Sequence, residues 1–339
     1  MRFLVVGLGS IGSRHAANAA ALPGVELGVV DPAPGLSEGI GARLGARCFA
    51  GWDAALAWRP EAAVVAVPNS AHVPVALDLV RAGAHVLVEK PISHALDGLD
   101  AFLDEAGALG RSVFTVCNMR FHPAIKAVRE ALPHVGRVLF ARAHYGNYLP
   151  DMRPGTDYRR LYCARRDMGG GVIFDAIHEA DYLAWLLGPV RSVTCDKATL
   201  SDLEIDVEDY AALVMRHQGG ARSELHLDYL RRFKRRGLEV VGTEGSVVWQ
   251  SEGKAPEHCT VRRHRVGGGW ETIFEDEALD ASGMYRELLE RFVLAVRGGG
   301  GHDLLGGRQA RDALACVLAA HRAADRGRNT TIDATGLVE

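Results

Sequence analysis

The sequence predicts an α/β protein: a doubly wound parallel sheet at the N-terminus, then an α+β domain with a large, open, mostly antiparallel sheet. Three observations carry that prediction. An apolar run at residues 2–6 breaks into a glycine turn, Gly7-x-Gly9-x-x-Gly12. Short Val/Ala/Leu-rich runs then alternate with helical patterns to about residue 120, as strand, helix, strand units do. From residue 190 to 275 the pattern changes to period-two runs joined by the turn-like pieces HQGG, GTEG and VGGG.

In the first part, strands are expected at 2–6, 25–30, 46–49, 62–67, 85–89 and 112–118, with amphipathic helices near 11–21, 52–57, 71–82 and 95–109. After Phe121 a helix at 123–131 and a strand at 137–146 lead into an irregular stretch rich in Pro, Arg and Gly. A helix from about 175 to 187 follows. Seven strands come next, near 190–199, 207–217, 221–230, 237–242, 246–250, 259–266 and 270–275, read as successive antiparallel neighbours. Two helices, 281–297 and 306–325, close the chain and are expected to pack back on the first domain. The glycine run between them reads as a connector and not a phosphate loop, because no strand precedes it. The domains are accordingly 1–120 and 121–339. Two cores suit a chain of 339 residues.

Composition narrows the class. A hydrophobic share of 48% with 24% charged residues is that of a water-soluble enzyme. A net charge of −3 argues against nucleic acid or an anionic membrane as partner. The one basic run, RRFKRR at 231–236, reads as a solvated edge or an anionic-substrate contact. Six scattered cysteines without a CxxC suit reduced thiols in a cytoplasmic protein. The N-terminal apolar run is too short and too glycine-broken for a signal peptide, and no other stretch approaches a membrane span.

Each glycine of the turn has a physical task. Gly7 permits the tight turn off the strand, Gly9 lets backbone approach a pyrophosphate, and Gly12 lets the next helix pack close to the sheet. That helix, starting near Ser10 and Ile11, aims its free N–H groups and positive dipole end at the phosphates. Asp31 ends the second apolar run nineteen residues after Gly12, where it would accept ribose hydroxyls and repel a 2′-phosphate. The context is that of a Rossmann dinucleotide site, and NAD is favoured over NADP. The competing reading is a βα turn that binds nothing.

Two further constellations carry chemistry. The fifth strand ends in Glu89, Lys90 and Pro91, at the carboxyl edge where an open α/β sheet binds ligands. The ammonium of Lys90 could hold a substrate hydroxyl and stabilise alkoxide character, although a strand-end lysine also snorkels to solvent without any such role. The second is GGGVIFDAIHEADYLAWLLG at 169–188, with Asp175 and His178 three apart on the expected helix and Asp181 one turn on. A histidine side chain ordinarily titrates near neutrality, so His178 could take a hydroxyl proton, with Asp175 orienting the substrate, His178 or Lys90. A helix cap and a core histidine are the structural alternatives. HEAD at 178–181 lacks the second histidine of a zincin helix, and no metal is expected.

Taken in order, GLGSIG, VAVPNSAH at 65–72, EKP, and GGG…D…H resemble the signature of the Gfo/Idh/MocA oxidoreductases, the glucose-fructose oxidoreductase and inositol dehydrogenase family. The resemblance extends through NMRFHP at 118–123 and the terminal ERF…GRQARDAL pattern, essentially the whole chain. It implies a Rossmann domain, a second domain with a large open sheet, and hydride exchange between nicotinamide and a sugar, cyclitol or sugar-nucleotide hydroxyl. Carried over by motif, Lys90, Asp175 and His178 form the catalytic set. Pro68, Asn69, His72 and Glu89 join Gly7, Gly9, Ser10, Ile11, Gly12, Asp31 and Lys90 as cofactor contacts. Many members space the aspartate and histidine four apart, whereas a GGG-LLD-x-x-HE-x-DY subgroup uses the gap of three seen here. The difference bears on the role of Asp175 more than on that of His178. The segment YLPDMRPGTDYR resembles the same subgroup, so Tyr148, Arg153, Tyr158 and Arg159, with Arg120, are candidate substrate contacts, their arginines suited to a phosphate or carboxylate.

Two other functions fit these residues. Transient oxidation could serve an NAD-dependent glycosidase or dehydratase, and a regulator could keep the nucleotide site without catalysis. Retention of Lys90, Asp175 and His178 argues against the regulator. The open sheet presents a face to be covered, so a homodimer or homotetramer is expected.

Overall fold

The computed structural model describes residues 1–254, 256–280, 282–333 and 336–338. The chain divides into two compact units, residues 1–118 with 282–314 and residues 119–281 with 315–339. The first begins β1 (Arg2–Val6), α1 (Ser10–Ala20), β2 (Glu26–Val30), α2 (Leu36–Leu44), β3 (Arg47–Cys48), α3 (Trp52–Ala57), β4 (Ala62–Val65), α4 (His72–Arg81), β5 (His85–Val88), α5 (Leu99–Ala108) and β6 (Val113–Thr115). Its six strands pair in parallel in the order β6-β5-β4-β1-β2-β3. Phe3–Val5, Ala62–Val65 and Val86–Val88 are fully buried, which is why these strands read as continuous apolar runs. Strand order reverses between β1 and β4, so the ligand crevice of such a sheet lies beyond the carboxyl ends of those two strands.

Helix α2 escapes sequence reading because Gly39 and Gly41 dilute its helical pattern. Packing selects it: a Cβ on Gly41 would stand 2.0 Å from Cys48 Sγ, so the glycine admits β3 against the helix. Gly28 does the same on β2, where the rings of Phe49 and Trp58 lie against the bare backbone.

The second unit contains α6 (Pro123–Ala131), β7 (Val138–Gly146), α7 (Val172–Asp175), α8 (Ile177–Leu187), β8 (Val190–Ala198), β9 (Tyr210–His217), β10 (Arg222–Asp228), β11 (Arg235–Gly242), β12 (Gly245–Glu252), β13 (Glu257–Arg265) and β14 (Trp270–Leu279). The expected succession of antiparallel neighbours holds from β11 to β14 and from β8 to β10 but fails between β10 and β11. There β7 is inserted, antiparallel to β11 and parallel to β10. Helices α6 and α8 pack on one face of the sheet, over a core that includes Ala143, Leu225, Leu238, Val240, Val247 and the fully buried Trp249. Outward positions of the same strands are polar or half-exposed; Arg142 on β7 pairs with Glu224 on β10 at 2.9 Å, and Val214 is 46% exposed.

The expected helix at 175–187 is also corrected. It is two helices broken at Ala176 (φ −92°, ψ 28°), so Asp175 ends α7 and His178 lies in the first turn of α8. Asp175 and His178 therefore do not share a face of one helix.

The chain closes with α9 (Gly283–Val296), β15 (Leu305–Gly306), α10 (Gly307–Arg326), β16 (Thr330–Asp333) and β17 (Gly336–Val338). Residue 281, the expected start of the first closing helix, lies outside the described residues. Phe292 of α9 sets its ring edge-on to both Phe3 and Phe114, joining this late segment to the first sheet, and β15 adds an antiparallel edge to β6. Helix α10 is divided between the units at Leu314. Strands β16 and β17 extend the second sheet beyond β8. Among the described residues no helix is long and apolar enough to cross a membrane, and no cluster of His, Cys, Asp and Glu could hold a metal.

Within the second unit His321 of α10 stacks on Phe174 and accepts a hydrogen bond from Lys197 Nζ at 3.1 Å through Nδ1. Burial, with the neighbouring Lys197 ammonium second, pushes its pKa down to about 4. Between pH 4 and the ordinary 6.5 the unfolded chain then binds a proton that the folded chain does not, so stability rises with pH across that window. His321 should add its full contribution above pH 6.5 and lose it as the pH falls toward 4. The urea midpoint is expected to decline from pH 6.5 to 4.5, less steeply in His321→Gln; equal slopes in the two proteins would refute a neutral buried His321.

Candidate active site

The glycine turn lies at the sheet's switch point and its three glycines divide into two kinds. A Cβ on Gly7 (φ +83°) would stand 2.4 Å from Ala66 O, and one on Gly12 would stand 1.9 Å from Gly7 O. Those two glycines allow β1, α1 and the turn after β4 to touch. Beside Gly9 a Cβ would meet nothing within 4 Å. Open space next to bare backbone, at the start of a helix with no side-chain cap, is the space a pyrophosphate requires. Ser10 and Ile11 open that helix, with Ser10 exposed.

Asp31 is built into the same turn. Its Oδ2 accepts the Leu8 N–H at 2.6 Å and its Oδ1 accepts the Ala33 N–H at 2.8 Å, while its own N–H donates to Ser37 Oγ. A carboxylate has about four acceptor positions, so these two bonds leave capacity for ribose hydroxyls. The residues present fit NAD.

Two expected cofactor contacts also carry bonds within the fold. His72 is fully buried, with Nδ1 2.8 Å from Pro91 O and Nε2 2.9 Å from Val67 O. It joins the loops that follow β4 and β5 and presents neither ring nitrogen to a ligand; burial lowers its pKa. Glu89 is buried too, its Oε1 2.8 Å from His15 Nε2 on α1 and its Oε2 accepting the Lys90 N–H. Glu89 thus ties the end of β5 to the helix that follows the glycine turn. Pro68 is exposed and Asn69 half-buried on the turn between β4 and α4, and Asn69 Nδ2 has no hydrogen-bond partner among the described residues. Lys90 is half-buried at the carboxyl end of β5.

In the second unit, Tyr162 donates its phenolic hydrogen to Asp175 Oδ1, and both side chains are half-buried. His178 is half-buried as well. Arg120 is only 3% exposed; it grips Asp181 through Nε at 3.0 Å and Nη2 at 2.8 Å, and lies over the Trp185 ring. It braces α8 from within. Arg159 is exposed but held by Asp157 at 2.9 Å and Glu204 at 2.8 Å, and Tyr158 accepts the Glu204 N–H. Tyr148 carries the Arg232 guanidinium 3.6 Å above its ring. Arg153 is exposed and makes no ion pair among the described residues.

The basic run 231–236 is not a solvated edge throughout. Arg236 pairs with the wholly buried Glu179 at 2.8 Å and lies over the Tyr145 ring, while Lys234 bonds the buried Glu257. Arg236 takes an inward position of β11, and Lys234, two residues earlier and just before the strand, points the same way. His15, Tyr162 and Glu208, whose Oε1 accepts the Ile173 N–H, are not legible as supports of the site, because each acts through a partner 13 or more residues away.

Comparison with known proteins agrees with this architecture. The family model described as "Oxidoreductase family, NAD-binding Rossmann fold" matches residues 1–116, and the GFO/IDH/MocA C-terminal domain matches residues 125–248. The 1,5-anhydro-D-fructose reductase of Ensifer adhaerens is 31% identical over 282 residues, covering 82% of this chain and 81% of its own. The myo-inositol 2-dehydrogenase of Thermotoga maritima is 26% identical over 98% of this chain and 99% of its own. Among solved structures, the WlbA dehydrogenase of Bordetella pertussis, in complex with NADH and UDP-GlcNAcA, superposes with a TM-score of 0.82. It is 23% identical and covers 98% of this chain and 99% of its own.

The two kinds of glycine separate experimentally. Gly9→Ala should leave the unfolding free energy within about 0.5 kcal/mol of wild type, as a substitution into open space does, yet weaken NAD binding at least ~10-fold by filling the phosphate approach. Gly12→Ala should lower the melting temperature outright. Calorimetric titration beside thermal unfolding checks both, and a Gly9→Ala protein with unchanged NAD affinity would contradict the placement of the pyrophosphate.

Proposed function

The chain belongs to the Gfo/Idh/MocA oxidoreductases, an NAD-binding family, and we propose that it exchanges a hydride between NAD and a hydroxyl-bearing carbon of a sugar, cyclitol or sugar nucleotide. The observation that carries this reading is Lys90 at the carboxyl end of β5, in the same parallel sheet whose switch point holds the open glycine turn. Bound NAD supplies the hydride acceptor. The Asp31 carboxylate, fixed by Leu8 and Ala33, favours ribose hydroxyls and disfavours a 2′-phosphate.

The chain's own groups do the rest. The Lys90 ammonium polarises the substrate oxygen and stabilises negative charge as it develops there. His178 takes the hydroxyl proton in oxidation and returns it in reduction. Asp175 orients the substrate ring. Tyr148, Arg153, Tyr158 and Arg159 are the candidate substrate contacts at the surface, and Arg153 makes no ion pair among the described residues. The names of the relatives support the breadth of the class, since they cover an anhydroketose, a cyclitol and a nucleotide sugar. The uncovered face of the second sheet is read as the surface through which a homodimer or homotetramer assembles.

Denaturing the purified protein should release NAD, identifiable by chromatography. Absorbance at the reduced-cofactor band should then change with one of myo-inositol, 1,5-anhydro-D-fructose or UDP-N-acetylglucosamine. Lys90→Ala and His178→Ala should each cut turnover at least ~100-fold while NAD affinity stays within a few-fold; near-normal turnover in either variant would remove that residue from the chemistry. Light scattering should return an oligomer, and a strict monomer would end the assembly reading.

A further inference from the structure

We infer that Tyr162 is the positioning residue of Asp175, and that the triple glycine 169–171 exists to bring the two together. This rests on the reading of Asp175 as the substrate-orienting carboxylate. The Tyr162 O–H donates to Asp175 Oδ1, across a turn and a short helix that have little intrinsic stability of their own. Backbone contacts fix the turn. Gly171 N–H donates to Cys163 O at 3.0 Å and Gly170 N–H to Arg165 O at 2.8 Å. A Cβ on Gly170 would stand 2.4 Å from Tyr162 O and 2.6 Å from Arg165 O, so only glycine lets the strand of loop lie against the residue that carries the phenol.

The helix end is fixed from the other side. Glu208 O accepts the Val172 N–H at 3.2 Å and its Oε1 accepts the Ile173 N–H at 3.1 Å, filling the first turn of α7. A Cβ on Gly171 (φ +108°) would stand 2.2 Å from that same Oε1. Asp175 N–H closes the turn on Gly171 O at 3.0 Å. With the backbone held at both ends, the hydrogen bond from Tyr162 sets the direction of Oδ1 of the Asp175 carboxylate. A neutral phenol suits this task because it orients the anion without neutralising it.

The test uses the full-length protein with NAD and whichever of myo-inositol, 1,5-anhydro-D-fructose or UDP-N-acetylglucosamine turns over. Tyr162→Phe should lower kcat/KM for that substrate about tenfold, as loss of a hydrogen bond to a charged group does, while KM for NAD stays within twofold of wild type. In an Asp175→Asn background the same change should have no further effect. Additive losses in the double variant, or parallel changes in both KM values, would assign Tyr162 a merely structural role and overturn the proposal. An impaired Asp175→Asn beside an unimpaired Tyr162→Phe would overturn it alone. An unimpaired Asp175→Asn would overturn it by removing its premise, the role of Asp175 in the proposed function.

Discussion

Three backbones meet where β1 ends, and the N-terminal unit is organised around that meeting. The carbonyl of Gly7 lies against the α carbon of Gly12, and the α carbon of Gly7 lies against the carbonyl of Ala66. At the closest of these approaches backbone meets backbone, with only the Ala66 methyl beside Gly12. The approach sets where α1 starts, how closely it covers the sheet, and how near the β4 turn comes to the glycine turn. Leu8, between the glycines, then delivers its N–H to Asp31, which couples the ends of β1 and β2. The open position beside Gly9 is what remains once the other contacts are made.

The motif residues around this centre separate into those that face outward and those that hold them. Glu89 and His72 belong to the second kind. Glu89 connects the lysine-bearing strand end to α1 through His15, and His72 connects the loops after β4 and β5 through two carbonyls. Both are buried polar groups with partners, the arrangement that makes a buried polar side chain tolerable. Arg120 with Asp181 plays the equivalent part under α8. A motif is therefore a record of a site and of its supports together, and only coordinates separate the two.

The same distinction explains what the sequence disclosed. The parallel strands were legible because burial on both faces removes polar residues from them, as in FLVV and AAVV. The glycine turn and Asp31 were legible because each sits at a position where backbone geometry admits few alternatives. Helix α2 was not, since its glycines serve packing against Cys48 and erase the local signal. The break at Ala176 leaves no trace in the apolar spacing, which continues across it. Arg120 and Asp181 are 61 residues apart, and no local pattern can announce a pairing at that distance. The insertion of β7 between β10 and β11 is of the same type, because strand order is decided by which faces can be buried together and not by sequence neighbours.

That insertion has a consequence for the birth of the chain. Strand β7 is bordered by two strands that follow it late; Arg142 meets Glu224, 82 residues further on. Until β10 and β11 have left the ribosome, both edges of β7 carry unpaired N–H and C=O groups, a template for foreign strands. At ordinary rates of synthesis the roughly 100 intervening residues keep it so for about 5 to 20 s. The second unit cannot fold progressively from its N-terminus: its central strand must wait for the two that clasp it.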